Sequence, residues 1–228
     1  MEEKLTSEGK CIYCGKVFQQ KAVAAHLTKH LSELEKEIPS EKERGYHLSV
    51  KAGDLFLQVL VNGSATFKTL DTFLRKIWVD CCDHMSDFRH GDIKIRMSEK
   101  VFRVLSPKVK FDYIYDYGDT TSFTLSVVGV YQLDQKENVV LLSRNEPLKI
   151  MCRVCNERPA TSVCIVHLYE TDKSFFCNVC ASKHEDDCED FSDYANMPVV
   201  NSPRMAVCGY TGGSIDLERD GAYIIPGL

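Results

Sequence analysis

The chain has 228 residues, of which 44% are hydrophobic and 27% charged, the composition of folded domains rather than of a disordered tail or a fibre. No run approaches the roughly 18–20 apolar residues of a membrane helix, and the opening MEEKLTSEGKCIYCGK lacks an apolar export core, so the expected location is cytoplasmic. The net charge of −5 is concentrated in residues 150–228, with 6 basic and 12 acidic side chains, which argues against that portion wrapping a phosphate backbone. Eleven cysteines in a reducing compartment point to bound metal before disulfides.

The first element is a finger. Cys11 and Cys14 lie two residues apart on a turn, and His26 and His30 lie four apart on a helix, so four donors can close a tetrahedron around zinc. Phe18 and Val23 occupy the places where a Cys2His2 finger keeps its small core, and the segment resembles such fingers with one residue fewer between the pairs. Counting back from His26 puts its base-contacting positions at Gln19, Ala22 and Ala25, without the arginine that makes the commonest contact to guanine. A stabilising or protein-docking finger is the simpler reading. The helix is expected to run on through Leu31, Leu34 and Ile38 to a hinge, dividing the chain into a finger at 1–38 and a linker at 39–45.

Residues 46–149 form the main domain. Two strand-like runs at 47–51 and 55–61 flank Ala52-Gly53-Asp54 and are expected to pair as a hairpin. Thr66 is a candidate N-cap for a helix over 67–79, in which Phe67, Leu70, Phe73, Leu74, Ile77 and Trp78 recur at helical spacing. The runs 93–97, 102–105, 111–115, 122–133 and 139–142 read as strands. The fold class is therefore α+β: a central mixed or antiparallel sheet with a packed helix, flanked by the Cys2His2 finger and by a cross-braced double-zinc module. Cys81 and Cys82 read as small apolar fillers at the helix end.

Trp78, the run Asp83-His84-Met85-Ser86-Asp87-Phe88 and the run Phe111-Asp112-Tyr113-Ile114-Tyr115-Asp116-Tyr117-Gly118-Asp119 resemble the domain family named for the third open reading frame of a root-inducing (Ri) plasmid. The tail from Pro198 through Arg204 and Cys208 is similar to a branch of that family carrying zinc modules, and the resemblance spans about residues 45–213. It implies an α+β fold and no settled activity. Many members follow the Tyr-Asp-aromatic-Gly-Asp motif with Trp and His, where this chain has Thr121 and Phe123, so a role resting on that His has no counterpart here.

The strongest signal lies at 150–194, a ladder of four donor pairs: Cys152 with Cys155, Cys164 with His167, Cys177 with Cys180, and His184 with Cys188. Pairing first with third and second with fourth gives a cross-brace with Cys152, Cys155, Cys177 and Cys180 at one ion and Cys164, His167, His184 and Cys188 at the other. Sequential pairing, with Cys152, Cys155, Cys164 and His167 together, is the alternative. Four protein ligands per ion leave no open vertex, so the three Zn2+ sites of the chain are expected to be structural. Cys208 has no partner at metal spacing and reads as a packed thiol, and the acids around Cys188 read as a solvated face. The remaining segment, 195–228, ends in an apolar run expected to pack back on the body.

No nucleophile, base and oxyanion set converges, so no catalytic residue and no organic cofactor is assigned. The leading expectation is a zinc-binding interaction module with a protein partner. One alternative is a metal-dependent hydrolase or nuclease using Asp116, Asp119 and His84. Another is a DNA-binding regulator, the nucleic-acid alternative to a protein partner. The sequence fixes neither the oligomeric state nor the partner.

Overall fold

Seven antiparallel strands form the main sheet of a computed structural model that describes residues 7–35, 44–133, 135–168, 170 and 173–215. The hinge at 39–43, Ile38 and the apolar end at 222–228 lie outside the described residues. By backbone contacts the chain divides into two units. The first comprises the described residues of 1–76 and 84–146, and the second those of 77–83 and 147–228.

In the first unit, β1 (Glu8–Lys10) and β2 (Val17–Gln19) form a small hairpin that leads into α1 (Gln20–Glu33). The main sheet follows, in the order β6-β5-β7-β8-β3-β4-β9. Its strands are β3 (Gly45–Ala52), β4 (Leu55–Asn62), β5 (Ser86–His90), β6 (Ile93–Ile95), β7 (Lys110–Tyr115), β8 (Thr121–Tyr131) and β9 (Val139–Arg144). β3 and β4 pair over their full lengths, Gly45 opposite Asn62 through Ala52 opposite Leu55, around a two-residue turn. Gly53 sits there at φ +58°, a left-handed conformation that costs glycine nothing. Every residue of β4 is buried, which explains why six of its eight residues are apolar.

The helix expected over 67–79 divides in two. α2 (Phe67–Leu74) is capped by Thr66, whose hydroxyl accepts the Thr69 amide at 3.1 Å, and a wider π-type turn continues over Arg75–Val79. Phe67 packs edge-on against Phe88 of β5 and Phe111 of β7, at centroid distances of 5.1 and 5.9 Å. Asp71, fully buried, holds α2 to the sheet by accepting from Ser86 Oγ at 2.6 Å, Tyr113 Oη at 2.8 Å, Lys68 Nζ at 2.8 Å and Arg75 Nε at 3.1 Å. Burial would raise its carboxyl, but the Lys68, Ser86 and Tyr113 hydrogen bonds and the Arg75 charge outweigh burial and hold it below the usual carboxylate value. The run at 102–105 is not a strand. Val101–Val104 make a helical turn, α3, because the amides of Val101 and Phe102 are taken by the carbonyls of Ala65 and Gly63, and a run of four residues is too short for its period to separate strand from helix.

The finger shares its core with this sheet. Val23, Leu27 and Leu31, on one face of α1, are fully buried with Phe56 and Leu60 of β4, Tyr131 of β8, Leu133 and Leu142 of β9. The backbone joins as well: Ile12 donates its amide to the Leu142 carbonyl at 2.9 Å, and Glu146 donates to Glu8 at 2.7 Å. Gly9 allows this approach. A Cβ there would lie 2.6 Å from the Arg144 carbonyl oxygen, 2.6 Å from the Phe56 ring and 2.8 Å from Ser143 Oγ. Gly9→Ala is expected to destabilise the first unit by about 1–3 kcal/mol, through overpacking against backbone that cannot yield; denaturant midpoints of the two proteins check this.

A polar ladder runs through the sheet, in which His47 Nε2 meets Gln58 Oε1 at 2.7 Å and Gln58 Nε2 donates to Ser49 Oγ at 3.0 Å. Burial disfavours the imidazolium of His47 and pushes its pKa from 6.5 down to about 4, although the Gln58 bond opposes the shift. The unfolded chain therefore takes up this proton near pH 6.5 and the folded chain only near pH 4, so stability is lost as pH falls through that window. The loss should be about 3 kcal/mol larger in the wild type than in His47→Gln, measured as unfolding free energy across the window.

The second unit contains a three-stranded sheet, β11-β10-β12, of β10 (Ser162–Cys164), β11 (Phe175–Phe176) and β12 (Asn196–Pro198). α4 (Asn178–Glu185) and a π-type turn over Phe191–Ala195 complete it. Among the described residues no helix is long and apolar enough to cross a membrane.

Candidate metal centres

The twelve donors expected from the sequence fall into three groups of four. Cys11, Cys14, His26 and His30 have their donor atoms within 4.8 Å of one another, as do Cys152, Cys155, Cys177 and Cys180, and as do Cys164, His167, His184 and Cys188. The four pairs of the ladder thus group first with third and second with fourth, not sequentially.

The separations suit a tetrahedral ion. The edge of a tetrahedron is about 1.6 times the metal–ligand bond, so zinc bonds of about 2.3 Å to sulfur and about 2.0–2.1 Å to nitrogen set donors about 3.3–3.8 Å apart. Cys14 Sγ is 3.2 Å from His26 Nε2, and His26 Nε2 is 3.1 Å from His30 Nε2. Cys155 and Cys177 sulfurs are 3.9 Å apart, and Cys164 Sγ is 3.2 Å from His167 Nδ1. All eleven cysteines are thiols in this structure.

Local folding builds each centre. In the finger, the Cys11 amide bonds Lys16 and the Gly15 amide bonds back to the Cys11 carbonyl, both at 2.9 Å, while Gly15 turns left-handed at φ +68°. The ring of His26 stacks on Phe18 at 4.0 Å. Burial, then the charges of His30, Lys16 and Lys29, lower the His26 pKa and favour the neutral imidazole that binds metal. The same knuckle recurs at the second group, where the Asn156 amide bonds the Cys152 carbonyl at 2.9 Å and Asn156 sits at φ +56°. Burial would raise the Cys152 thiol, but the backbone amides of Cys155, Cys177 and Val154 outweigh it and bring it down to about 6. Its neighbour Cys180 is pushed up to about 12 by burial and by Cys152, Cys177 and Cys155. Four sulfurs this close cannot all ionise unaided, and a divalent cation removes that conflict.

In the third group His184 stacks on Phe176 at 4.3 Å and meets Phe191 edge-on at 4.9 Å. Its Nε2 is buried and has no hydrogen-bond partner among the described residues. A buried nitrogen without a partner costs on the order of 1–3 kcal/mol, which coordination to an ion would offset. In the cluster of buried residues around these donors, five of nine are cysteines: Cys152, Cys164, Cys177, Cys180 and Cys188. The donors and their surroundings therefore fit an ion in each group. The acids Asp186, Asp187, Glu189, Asp190 and Asp193 are all exposed, as a solvated face requires.

The hydrolase triad is only partly gathered. His84 Nε2 stands 3.4 Å from Asp116 Oδ2, but Asp116 Oδ1 accepts the Gly118 amide at 2.9 Å in a turn. Among the described residues no donor group of three or more contains Asp116 or Asp119. A further group escaped the sequence reading: Cys81, Cys82 and Cys208 also hold their sulfurs within 4.8 Å of one another. Cys82 and Cys208 are exposed, so neither is a packed apolar filler. The adjacent pair Cys81-Cys82 and the isolated Cys208 lack the two-residue gap that marks a knuckle, and no local pattern could have joined them.

Neither protein-family models nor curated proteins match the chain. Among solved structures it is similar to a protein of unknown function from Methanosarcina mazei Go1, at 16% identity and a TM-score of 0.39, over 45% of this chain and 69% of that one.

Metal removal should act unevenly. A strong chelator is expected to abolish amide-exchange protection in β10, β11 and α4, since each ion contributes on the order of 10 kcal/mol to folding, while β3 and β4 keep theirs on an apolar core. Hydrogen exchange followed by mass spectrometry reads both regions in one sample.

Proposed function

We propose that the protein is a zinc-stapled interaction module, in which a Cys2His2 finger and a cross-braced double-zinc module hold rigid surfaces for a protein partner. The observation that carries this reading is the gathering of twelve Cys and His donors in three groups of four. Four side chains saturate a tetrahedral zinc and leave no vertex to activate water, so the ions serve folding rather than chemistry. Zinc is favoured over other divalent ions by the thiolate and imidazole donors.

A protein partner is favoured over nucleic acid. Val23, Leu27 and Leu31 of α1 are engaged by the sheet, and the exposed positions Gln19, Ala22 and Ala25 offer no guanidinium to a base edge. The second unit carries the acidic excess of the chain. The middle domain is assigned by its motif residues to the family named for the Ri-plasmid reading frame, which adds a fold and no activity. Hydrolysis has weaker support, because Asp116 is engaged by the Gly118 amide in a turn, and among the described residues Asp119 joins no donor group of three or more.

Native mass spectrometry with metal analysis tests the reading. Cys14→Ala, Cys177→Ala and His184→Ala should each lose one zinc and keep the others. Retention of every ion in any of the three variants would remove that group as a site. For the interaction, a partner captured by the full chain should be lost by Cys177→Ala and unaffected by salt at levels that strip phosphate contacts. Capture of nucleic acid with a steep salt response would replace the protein-partner reading by the regulator reading.

A further inference from the structure

The three centres above leave Cys81, Cys82 and Cys208 unused, and these thiols are not scattered. All three belong to the second unit, on segments 126 residues apart between Cys82 and Cys208, yet those two sulfurs approach to 3.9 Å. That is the same separation as between Cys155 and Cys177 in the all-cysteine group, and about the edge of a zinc tetrahedron with sulfur ligands. It is nearly twice the bond of about 2.05 Å in a disulfide. The third sulfur, of Cys81, lies within 4.8 Å of both.

The backbone repeats the pattern of the other centres. Gly15 follows Cys14 at φ +68° and Asn156 follows Cys155 at φ +56°; in the same way Asp83 follows Cys82 at φ +56° and Gly209 follows Cys208 at φ +66°. A left-handed residue directly after the donor turns the chain away and leaves the sulfur at the inside of the bend. Such residues are uncommon outside glycine, and two of the four, Asn156 and Asp83, are not glycine. Asp80 supports one of these bends by accepting the Asp83 amide at 3.3 Å.

A charge argument completes the case. Three thiolates around a divalent ion carry one net negative charge. Arg204, fully buried in the second unit, donates its Nε–H to Cys81 Sγ at 3.3 Å. Its own position is fixed by its amide, which bonds Ser202 Oγ at 2.9 Å, and by the Ser202 hydroxyl, which donates to the Trp78 carbonyl at 2.5 Å. A buried guanidinium that hydrogen-bonds a ligand sulfur both balances the excess charge and orients the ligand, which is the work of a residue behind a metal centre.

We propose that Cys81, Cys82 and Cys208 form a further, three-thiolate site for zinc or a similar soft divalent ion, and that this ion ties the 80–83 loop to the turn carrying Arg204 and Cys208. The site has its own donors and stands or falls independently of the three-zinc reading. Because two of its sulfurs are exposed, it is open to exchange with solvent in a way that the buried all-cysteine group is not.

Zinc counting on the full chain, combined with thiol mapping, tests it. Wild-type protein purified under reducing conditions and supplied with zinc should carry four ions, and Cys208→Ser should carry three. Should that variant fail to fold, wild-type protein alone decides: maleimide should label Cys82 and Cys208 at least tenfold more slowly with zinc than after chelation, read by peptide mapping. Equal metal content in wild type and Cys208→Ser, equal labelling with and without zinc, or a product 2 Da lighter with Cys82 bonded to Cys208, would each overturn the proposal. Loss of an ion at the other twelve donors maps to different peptides, so failure of the three-zinc reading is seen separately.

Discussion

Sulfur takes the place of hydrocarbon in the donor cluster of the second unit. That cluster buries Phe176, Phe191, Ala181 and Ala195 with five cysteines, while Trp78, Ile77, Val79 and Val163 are buried elsewhere in the unit. So small a local apolar inventory has to offset the conformational entropy of ordering the segment, which runs to about 1–2 kcal/mol for each residue's backbone. Ions held by the sulfurs and imidazoles would add to it. The strands β10, β11 and β12 are two or three residues long and could not persist as a sheet on their own hydrogen bonds.

The first unit rests on a different principle. Its sheet has seven strands, with one strand buried at every position and an aromatic cluster under α2, so the sheet rests on hydrocarbon. The finger is attached to this body rather than tethered beside it. Val23, which the finger pattern assigns to a private miniature core, is buried together with Phe56 and Leu142 of the sheet. The inner face of this flap is therefore supplied by a larger neighbour.

Much of this was legible in the residues. The β3–β4 hairpin follows from two apolar runs around Gly53, and the Thr66 cap from its place before Phe67. The donor pairs were visible because metal chemistry imposes short, regular gaps on sequence. What could not be read depended on contacts between distant segments. The 102–105 run becomes α3 because carbonyls of Gly63 and Ala65 claim its amides, and no pattern within the run announces that. The split of α2 at Arg75, the closeness of Gly9 to Arg144 and the meeting of Cys82 with Cys208 are of the same kind. In each case the deciding partner is tens of residues or more away in the chain, or the deciding feature is the shape of a backbone that composition does not encode.

The second unit is discontinuous in the chain, because 77–83 joins it while 84–146 returns to the first. During synthesis the ribosome delivers the 77–83 stretch, Trp78 included, long before Ser202 and Arg204 exist to receive it. Those residues must wait through the making of most of a sheet before their neighbours emerge. A fragment beginning at 147 would be born without them, so the carboxy-terminal half is not a cassette that gene fusion could transplant intact.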